Sequence, residues 1–228
     1  MSLRKILLAS VLMTATALPG FATEYGTWND NSGAIGSLVV NDQVNLQTNW
    51  SNLSGVVDTV GGDVVVQGAA GANMVDVITM DNTRVFNNQI VSSDATIGSN
   101  VALDANNVWG SVGVSNSSLC NGASVSTDPV LTSVNSYQEC GAKDPYTGTS
   151  AFVTNIAGNA VFQNSAISNS FEADSNAPNF PVFNKQINNS SAISNMAVNA
   201  FNVGGTVGMQ SSAVGNTARV IHYNTGGN

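Results

Sequence analysis

Charge is what this sequence has least of. Asp, Glu, Lys and Arg make up 9% of its 228 residues, and 14 acids outnumber six bases. Two of those bases, Arg4 and Lys5, sit at the extreme N-terminus, leaving Arg84, Lys143, Lys185 and Arg219 for the rest of the chain. Nucleic-acid phosphates demand a basic patch, so a nucleic-acid partner is excluded. Electrostatic docking on anionic lipid is disfavoured for the same reason. Histidine is nearly missing: His222 is the sole copy, close to the C-terminus. A Ser-His-Asp triad would have to use it, and no GxSxG elbow accompanies it. One His and two Cys cannot make a zinc cluster. No HExxH, P-loop or GxGxxG motif occurs, so nucleotide and zincin chemistry have no sequence support. Beyond the first 22 residues no apolar run approaches the roughly 20 residues of a membrane-spanning helix.

The N-terminus reads as an export signal. Arg4 and Lys5 precede an apolar run from Ile6 to Leu18, and Pro19-Gly20-Phe21-Ala22 supplies small residues where a signal peptidase cuts. Residues 1–22 are expected to be a signal peptide cleaved after Ala22, which implies an exported chain at the outer cell surface or beyond it. Cys120 and Cys140 are then an even pair in an oxidising compartment and are expected to form one disulfide. A surface this poor in charge must be solubilised by Asn, Ser, Thr and Gly. The 43% apolar content, rich in Val and Ala, is too high for a disordered chain.

Helical periodicity is almost absent, and strand signals replace it. "VNLQTNW" (44–50) alternates apolar and polar residues, and "MVDVITM" (74–80) and "RVFNNQIV" (84–91) continue the theme. "GVVDTVGGDVVVQG" (55–68) predicts two strands around Gly61-Gly62, joined as a hairpin or a corner. Residues 115–150 hold both Cys, Pro129 and Pro145, and predict an irregular insertion tied by the disulfide. Pro178 and Pro181 mark a second break, since proline donates nothing to a strand ladder. The chain thus divides into a signal peptide (1–22), an N-terminal β-repeat region (23–114), the insertion (115–150) and a C-terminal β-repeat region (151–228).

One pattern recurs. Gln67, Gln163 and Gln210 are each followed six residues later by an Asn, namely Asn73, Asn169 and Asn216, with Ala at the middle of the spacer. Looser copies at 92–103 and 188–198 keep the small-Ile-small-Asn core around Asn100 and Asn195, with the upstream Gln displaced to Gln89 and Gln186. Asn169, Asn195 and Asn216 lie 26 and 21 residues apart, within the usual range of solenoid repeats. In a β-solenoid, amides at equivalent positions of successive coils stack and satisfy one another. Gln67, Asn73, Gln163, Asn169, Asn195, Gln210 and Asn216 are therefore expected to form inward amide ladders. "GNTARVIH" (215–222) resembles the G-N-x-A-x-V-x-Q segment of curlin repeats, the subunits of bacterial curli fibres, and the related bacterial holdfast-anchoring proteins. The Gln-to-Asn spacer here is five residues where the curlin pattern has four, and the closing Gln is replaced by His222. The resemblance covers about a third of the mature chain and implies surface-fibre or adhesion biology.

Asp58, Asp63, Asp76 and Asp81 are close in sequence and are the candidates for Ca²⁺ binding or for an acid/base pair acting on a glycan. As solvated turn aspartates they need neither role. The expected architecture is all-β and elongated, a β-solenoid or curlin-like stack of strand-turn-strand repeats, with a β-sandwich as the alternative. The expected function is structural: an exported protein that assembles into or anchors an adhesive fibre or holdfast, with no enzymatic activity and no cofactor. Its expected partners are itself or other fibre proteins, joined by β-augmentation, and extracellular polysaccharide. A soluble glycan- or matrix-binding β-module and a glycan-cleaving β-helix enzyme are the rival readings.

Overall fold

The computed structural model describes residues 37–128, 132–177 and 179–223. The expected signal peptide (1–22) and residues 23–36 lie outside these. Twelve strands follow one another without a described helix: β1 (Ser37–Asn45), β2 (Asn49–Val60), β3 (Val64–Thr79), β4 (Thr83–Val91), β5 (Thr96–Val108), β6 (Val112–Thr127), β7 (Thr132–Cys140), β8 (Lys143–Ile156), β9 (Ala160–Ser175), β10 (Val182–Asn188), β11 (Ile193–Val203) and β12 (Val207–His222). Every third strand pairs in parallel, giving three sheets ordered β1-β4-β7-β10, β2-β5-β8-β11 and β3-β6-β9-β12. The chain is a β-solenoid of four coils, each with one strand from each sheet. We call these sheets A, B and C. Because the coils repeat one path, register partners sit 46 to 49 residues apart. That is about twice the spacing expected from the Asn-to-Asn intervals in sequence.

Alternation of apolar and polar residues sets the inward face of each strand. Sheet C strands are long because each bends midway. The first half of β6 and β9, through Val112, Val114, Ala160 and Phe162, packs on Val101, Leu103, Ala105, Ala151 and Val153 of sheet B. The second half, through Ala123, Val125, Phe171 and Ala173, packs on Val85 and Val134 of sheet A. At the bend two successive residues point inward, Cys120 with Asn121 and Ser168 with Asn169, all fully buried. This shift of one residue reverses the in-out parity along the rest of the strand.

Two corrections follow. The described residues of the expected insertion, 115–128 and 132–150, are not irregular: they run through β6, β7 and the start of β8 in register with neighbouring coils, and Pro129 lies outside the described residues. Pro145 is accommodated at a local irregularity, where the pairing of β5 with β8 shifts between Thr96 and Gly98, beside Asp144 at φ 35°; such bulges are where strands tolerate proline. Likewise "VNLQTNW" is not one strand, since β1 ends at Asn45 and Asn45 Oδ1 accepts from the Gln47 N–H to turn the corner. Gly61-Gly62 do mark a corner, and the strands they join lie in different sheets, so no hairpin forms. Of the expected break, Pro178 lies outside the described residues; Pro181 precedes β10, and its carbonyl accepts from Val134 N–H.

The disulfide joins Cys120 at the β6 bend to Cys140 at the end of β7, thereby linking sheets C and A of consecutive coils. It packs among Ala70, Val91, Ala95, Ile97 and Ala142. Replacing both cysteines by Ala removes closure of a loop with sequence separation 20, which costs about 3 kcal/mol in the chain-entropy model. Urea unfolding of the double variant should show that loss as a lower midpoint with a similar slope.

The corner from sheet B to sheet C repeats in all four coils. Thr59, Asn107, Asn155 and Asn202 all take positive φ, from 52° to 57°. Asn favours this region because its short amide bonds locally, whereas a β-branched residue is strained there. The three Asn side chains also stack: Asn202 Nδ2 donates to Asn155 Oδ1 (2.7 Å), Asn155 to Asn107 (3.0 Å), and Asn107 to Asp58 Oδ1 (3.0 Å). Three residues on, Gly62, Gly110, Gly158 and Gly205 stack so closely that a Cβ on Gly110 would meet the Gly62 carbonyl carbon at 2.6 Å. The next residue bridges coils: Asp63 Oδ1 accepts from Ser111 N–H (2.7 Å), Ser111 Oγ from Asn159 N–H (3.1 Å), and Asn159 Oδ1 from Thr206 N–H (2.8 Å). Thr59 is the one β-branched member of its column. Thr59→Asn should therefore stabilise the fold by about 1 kcal/mol through relief of backbone strain, read as a higher midpoint in thermal unfolding.

Candidate functional site

The solenoid interior carries polar side chains where sheets A and C approach. Asn73, Asn121, Asn169 and Asn216 occupy one column of sheet C, immediately after its bend. Asn73 Nδ2 donates to Asn121 Oδ1 (2.9 Å), Asn121 to Asn169 (2.8 Å) and Asn169 to Asn216 (2.8 Å). Opposite them, Gln43, Gln89, Gln138 and Gln186 form a column of sheet A. Here Gln186 Nε2 donates to Gln138 Oε1 (2.8 Å), Gln138 to Gln89 (2.8 Å) and Gln89 to Gln43 (3.1 Å).

The amides also reach across the interior. Gln43, Gln89, Gln138 and Gln186 donate to the carbonyls of Met74, Gly122, Ser170 and Thr217, each the residue after a ladder Asn. In return Asn73 donates to the Ile90 carbonyl and Asn169 to the Ile187 carbonyl, each the residue after a ladder Gln. The two ladders thus hold sheets A and C together as well as coil to coil. They also run in opposite directions. The Asn amides donate toward the C-terminal coil and the Gln amides toward the N-terminal coil.

Of the seven amides expected in inward ladders, the structure places Asn73, Asn169 and Asn216 in one. Gln67, Gln163 and Gln210 share a register column with Ser115, but that column faces outward. The six-residue interval from Gln to Asn would put both on one face of an unbroken strand. The bend between them inserts the parity change, so the Gln points out and the Asn points in. Asn195 belongs to a different column, with Asn52, Asn100 and Gly148 on the outer face of sheet B. The sequence pattern missed Asn121, which follows Ser115 where the other copies have Gln, and it missed Gln43 and Gln138. Gln89 and Gln186, which seemed displaced, are inward members of the Gln ladder.

The four aspartates do not converge. Asp58 accepts from Asn107 at the end of β2, Asp63 from Ser111 at the corner, Asp76 lies on the outer face of β3, and Asp81 stands in the turn before β4. Among the described residues no group of three or more His, Cys, Asp or Glu is placed to hold a metal ion. His222 donates from Nε2 to the Ala177 carbonyl and lies against Phe180, tying the end of β12 to the β9–β10 connection. The chain matches no family model, and neither a curated protein nor a solved structure is significantly similar to it.

What the ladders can do lies at their ends. Strands β1, β2 and β3 pair on one side only, as do β10, β11 and β12, so among the described residues both ends of the solenoid present open strand edges. At the N-terminal end Asn73 Oδ1 has no donor from another described residue. At the C-terminal end Asn216 Nδ2 makes only a 3.5 Å approach to the Gln186 carbonyl, and Gln186 Oε1 accepts from no described residue. A further coil laid on either end in the same direction would continue both ladders.

The buried middle of the Asn column should be its costliest point to disturb. Asn121→Ala removes the acceptor of Asn73 and the donor to Asn169 at a fully buried position, a loss of about 1 to 3 kcal/mol. Gln67→Ala, on the outward face, should stay within about 0.5 kcal/mol of wild type. Denaturant unfolding of the two variants separates these outcomes.

Proposed function

We propose that this protein is an exported structural component of the bacterial cell surface that assembles into, or anchors, an adhesive fibre or holdfast by β-augmentation. The observation that carries this reading is the pair of open solenoid ends with amide ladders of opposite direction. Open edges template further strands. When the C-terminal coil of one copy meets the N-terminal coil of another, Asn216 Nδ2 faces Asn73 Oδ1 and the spare Gln43 N–H faces Gln186 Oε1. Both ladders then continue with donor against acceptor. Two copies meeting N-terminus to N-terminus would set their strands antiparallel, and neither column would continue. The same complementarity serves a different partner whose edge carries matching amides. A disulfide, scarce charge and the predicted export signal fit a surface location, and the resemblance to curlin and holdfast-anchoring repeats points the same way.

Electron microscopy of the purified mature chain tests this. Filaments are expected with strands perpendicular to the axis, and each copy should add four coils, about 19 Å at the ~4.8 Å spacing of neighbouring strands. Asn216→Lys puts a solvated ammonium at the growing end in line with the incoming Asn73, and burying it unpaired is costly. It should abolish filaments and cell-surface retention while leaving the monomer folded by circular dichroism. Wild-type protein that stays monomeric at all concentrations and is retained as well as the variant would overturn the proposal.

A further inference from the structure

The outer face of sheet B carries a stacked aromatic pair. Its first column contains Trp50, Gly98, Tyr146 and Ile193. Trp50 and Tyr146 are two coils apart, yet their rings run parallel, 7° between planes with centroids 5.9 Å apart. They meet because both lean across glycines. A Cβ on Gly98 would sit 2.2 Å from Trp50 Cζ3, and one on Gly148 would sit 2.5 Å from the Tyr146 hydroxyl. The indole N–H donates to Asn52 Oδ1 at 2.8 Å, which holds that ring down on the sheet. Trp50 remains 42% exposed. The result is a two-ring aromatic ledge.

Beside the ledge, toward the strand ends, runs the amide column of Asn52, Asn100 and Asn195. The side chains of Asn100 and Asn195 bond to no other described residue. Beyond it lies a floor of Ser54, Ala102, Ser150 and Ala197. Phe152 and Phe201 then close the far side as a tilted pair with centroids 5.7 Å apart. Tyr146 and Phe152 are six residues apart on β8, about 20 Å at ~3.3 Å per residue. The small-residue floor of the trough between them crosses all four coils along the solenoid axis; on its two sides the ring columns are completed by Gly98 and Ile193, and by Val56, Asp104 and Asn199.

We infer that this trough is a binding site for a neutral, β-linked hexopyranose polysaccharide. The axial C–H groups of such a sugar present a flat, weakly positive apolar face, which is what an aromatic ring face attracts. Its equatorial hydroxyls need donors and acceptors at the rim, and amides supply both. An extended chain of these sugars advances by close to one interstrand spacing per residue, so each coil meets one sugar. Asp58 and Asp104 stand on this face and the chain is net acidic, which repels a polyanion. The competing account of the rings is that they only shield the glycine backbone, a known use of aromatics on sheets.

Binding is measured on protein kept below its assembly concentration, so the result is separable from filament growth. The probes are a soluble mixed-linkage β-glucan and a hexamer of β-linked N-acetylglucosamine, with polygalacturonate as the anionic control, read by affinity electrophoresis and titration calorimetry. Wild type should bind at least one neutral probe and not the control. Trp50→Ala and Tyr146→Ala should each weaken that binding tenfold or more. Trp109→Phe, at an exposed corner tryptophan outside the trough, should leave it unchanged. Ala102→Arg keeps both rings and fills the trough floor, so it should also abolish binding even if a ring deletion perturbs folding. Failure of wild type to bind either neutral probe, preference for the polyanion, or binding that survives Trp50→Ala, Tyr146→Ala and Ala102→Arg would each overturn the inference and leave the rings as backbone shields.

Discussion

Pairing of buried amides governs this structure. A parallel solenoid satisfies its backbone through the coils above and below, but the interior must still be filled. Here much of that filling is Asn and Gln, and an unpaired buried amide costs more than a good pair gains. Full satisfaction requires the same residue type at the same height in every coil. It also requires sheets A and C to stand at the one distance where each Gln reaches the carbonyl after an Asn, and Asn73 and Asn169 reach the carbonyl after a Gln. Register, coil length and sheet separation are therefore specified together. An apolar core alone tolerates slippage that a polar ladder does not.

The same requirement explains the corner chemistry. Coils can stay in register only if each takes the same path, so the left-handed Asn, the stacked Gly and the bridging side chain recur at Asn107–Ser111, Asn155–Asn159 and Asn202–Thr206. Variation is confined to where the ladders do not reach. The connection from β9 to β10 runs through Pro181, and the β7–β8 junction carries Asp144 and Pro145. The disulfide sits near the same level as the Asn ladder, joining the two sheets that the amides already join. It adds a covalent limit to a separation that hydrogen bonds set.

The all-β solenoid was legible because strand alternation and Asn-rich turns are local signals. Three of the ladder amides, Asn73, Asn169 and Asn216, were legible because their flanks happen to match. The Gln partners were hidden by two physical facts. The bend in β3, β6, β9 and β12 changes parity, so the nearest Gln in sequence is the wrong one. The right ones, Gln43, Gln89, Gln138 and Gln186, lie in dissimilar strings on another sheet and match only at the full coil period. Residues 115–150 were misread because prolines and cysteines are local breakers, whereas in-register stacking on both neighbours overrides local propensity. The aromatic ledge was illegible for a similar reason. Trp50 and Tyr146 are nearly a hundred residues apart, and only coil stacking with Gly98 between them brings their rings together.

The two proposed surfaces are orthogonal. Assembly uses the ends of the solenoid, and sugar recognition uses one flank, so neither occludes the other. If copies stack head to tail, the flank of each becomes one segment of a trough that runs the length of the fibre. A weak contact per coil then becomes strong attachment, because each sugar bound after the first engages at high effective concentration. A single four-coil unit spans only about four sugars at ~4.8 Å per coil, too few for a tight grip on a shallow, solvent-exposed face. Fibre growth would thus be the device that converts a marginal site into an anchor. Both properties depend on coil stacking: it aligns the amides within the solenoid, and it brings Trp50 and Tyr146 together across Gly98 on its flank.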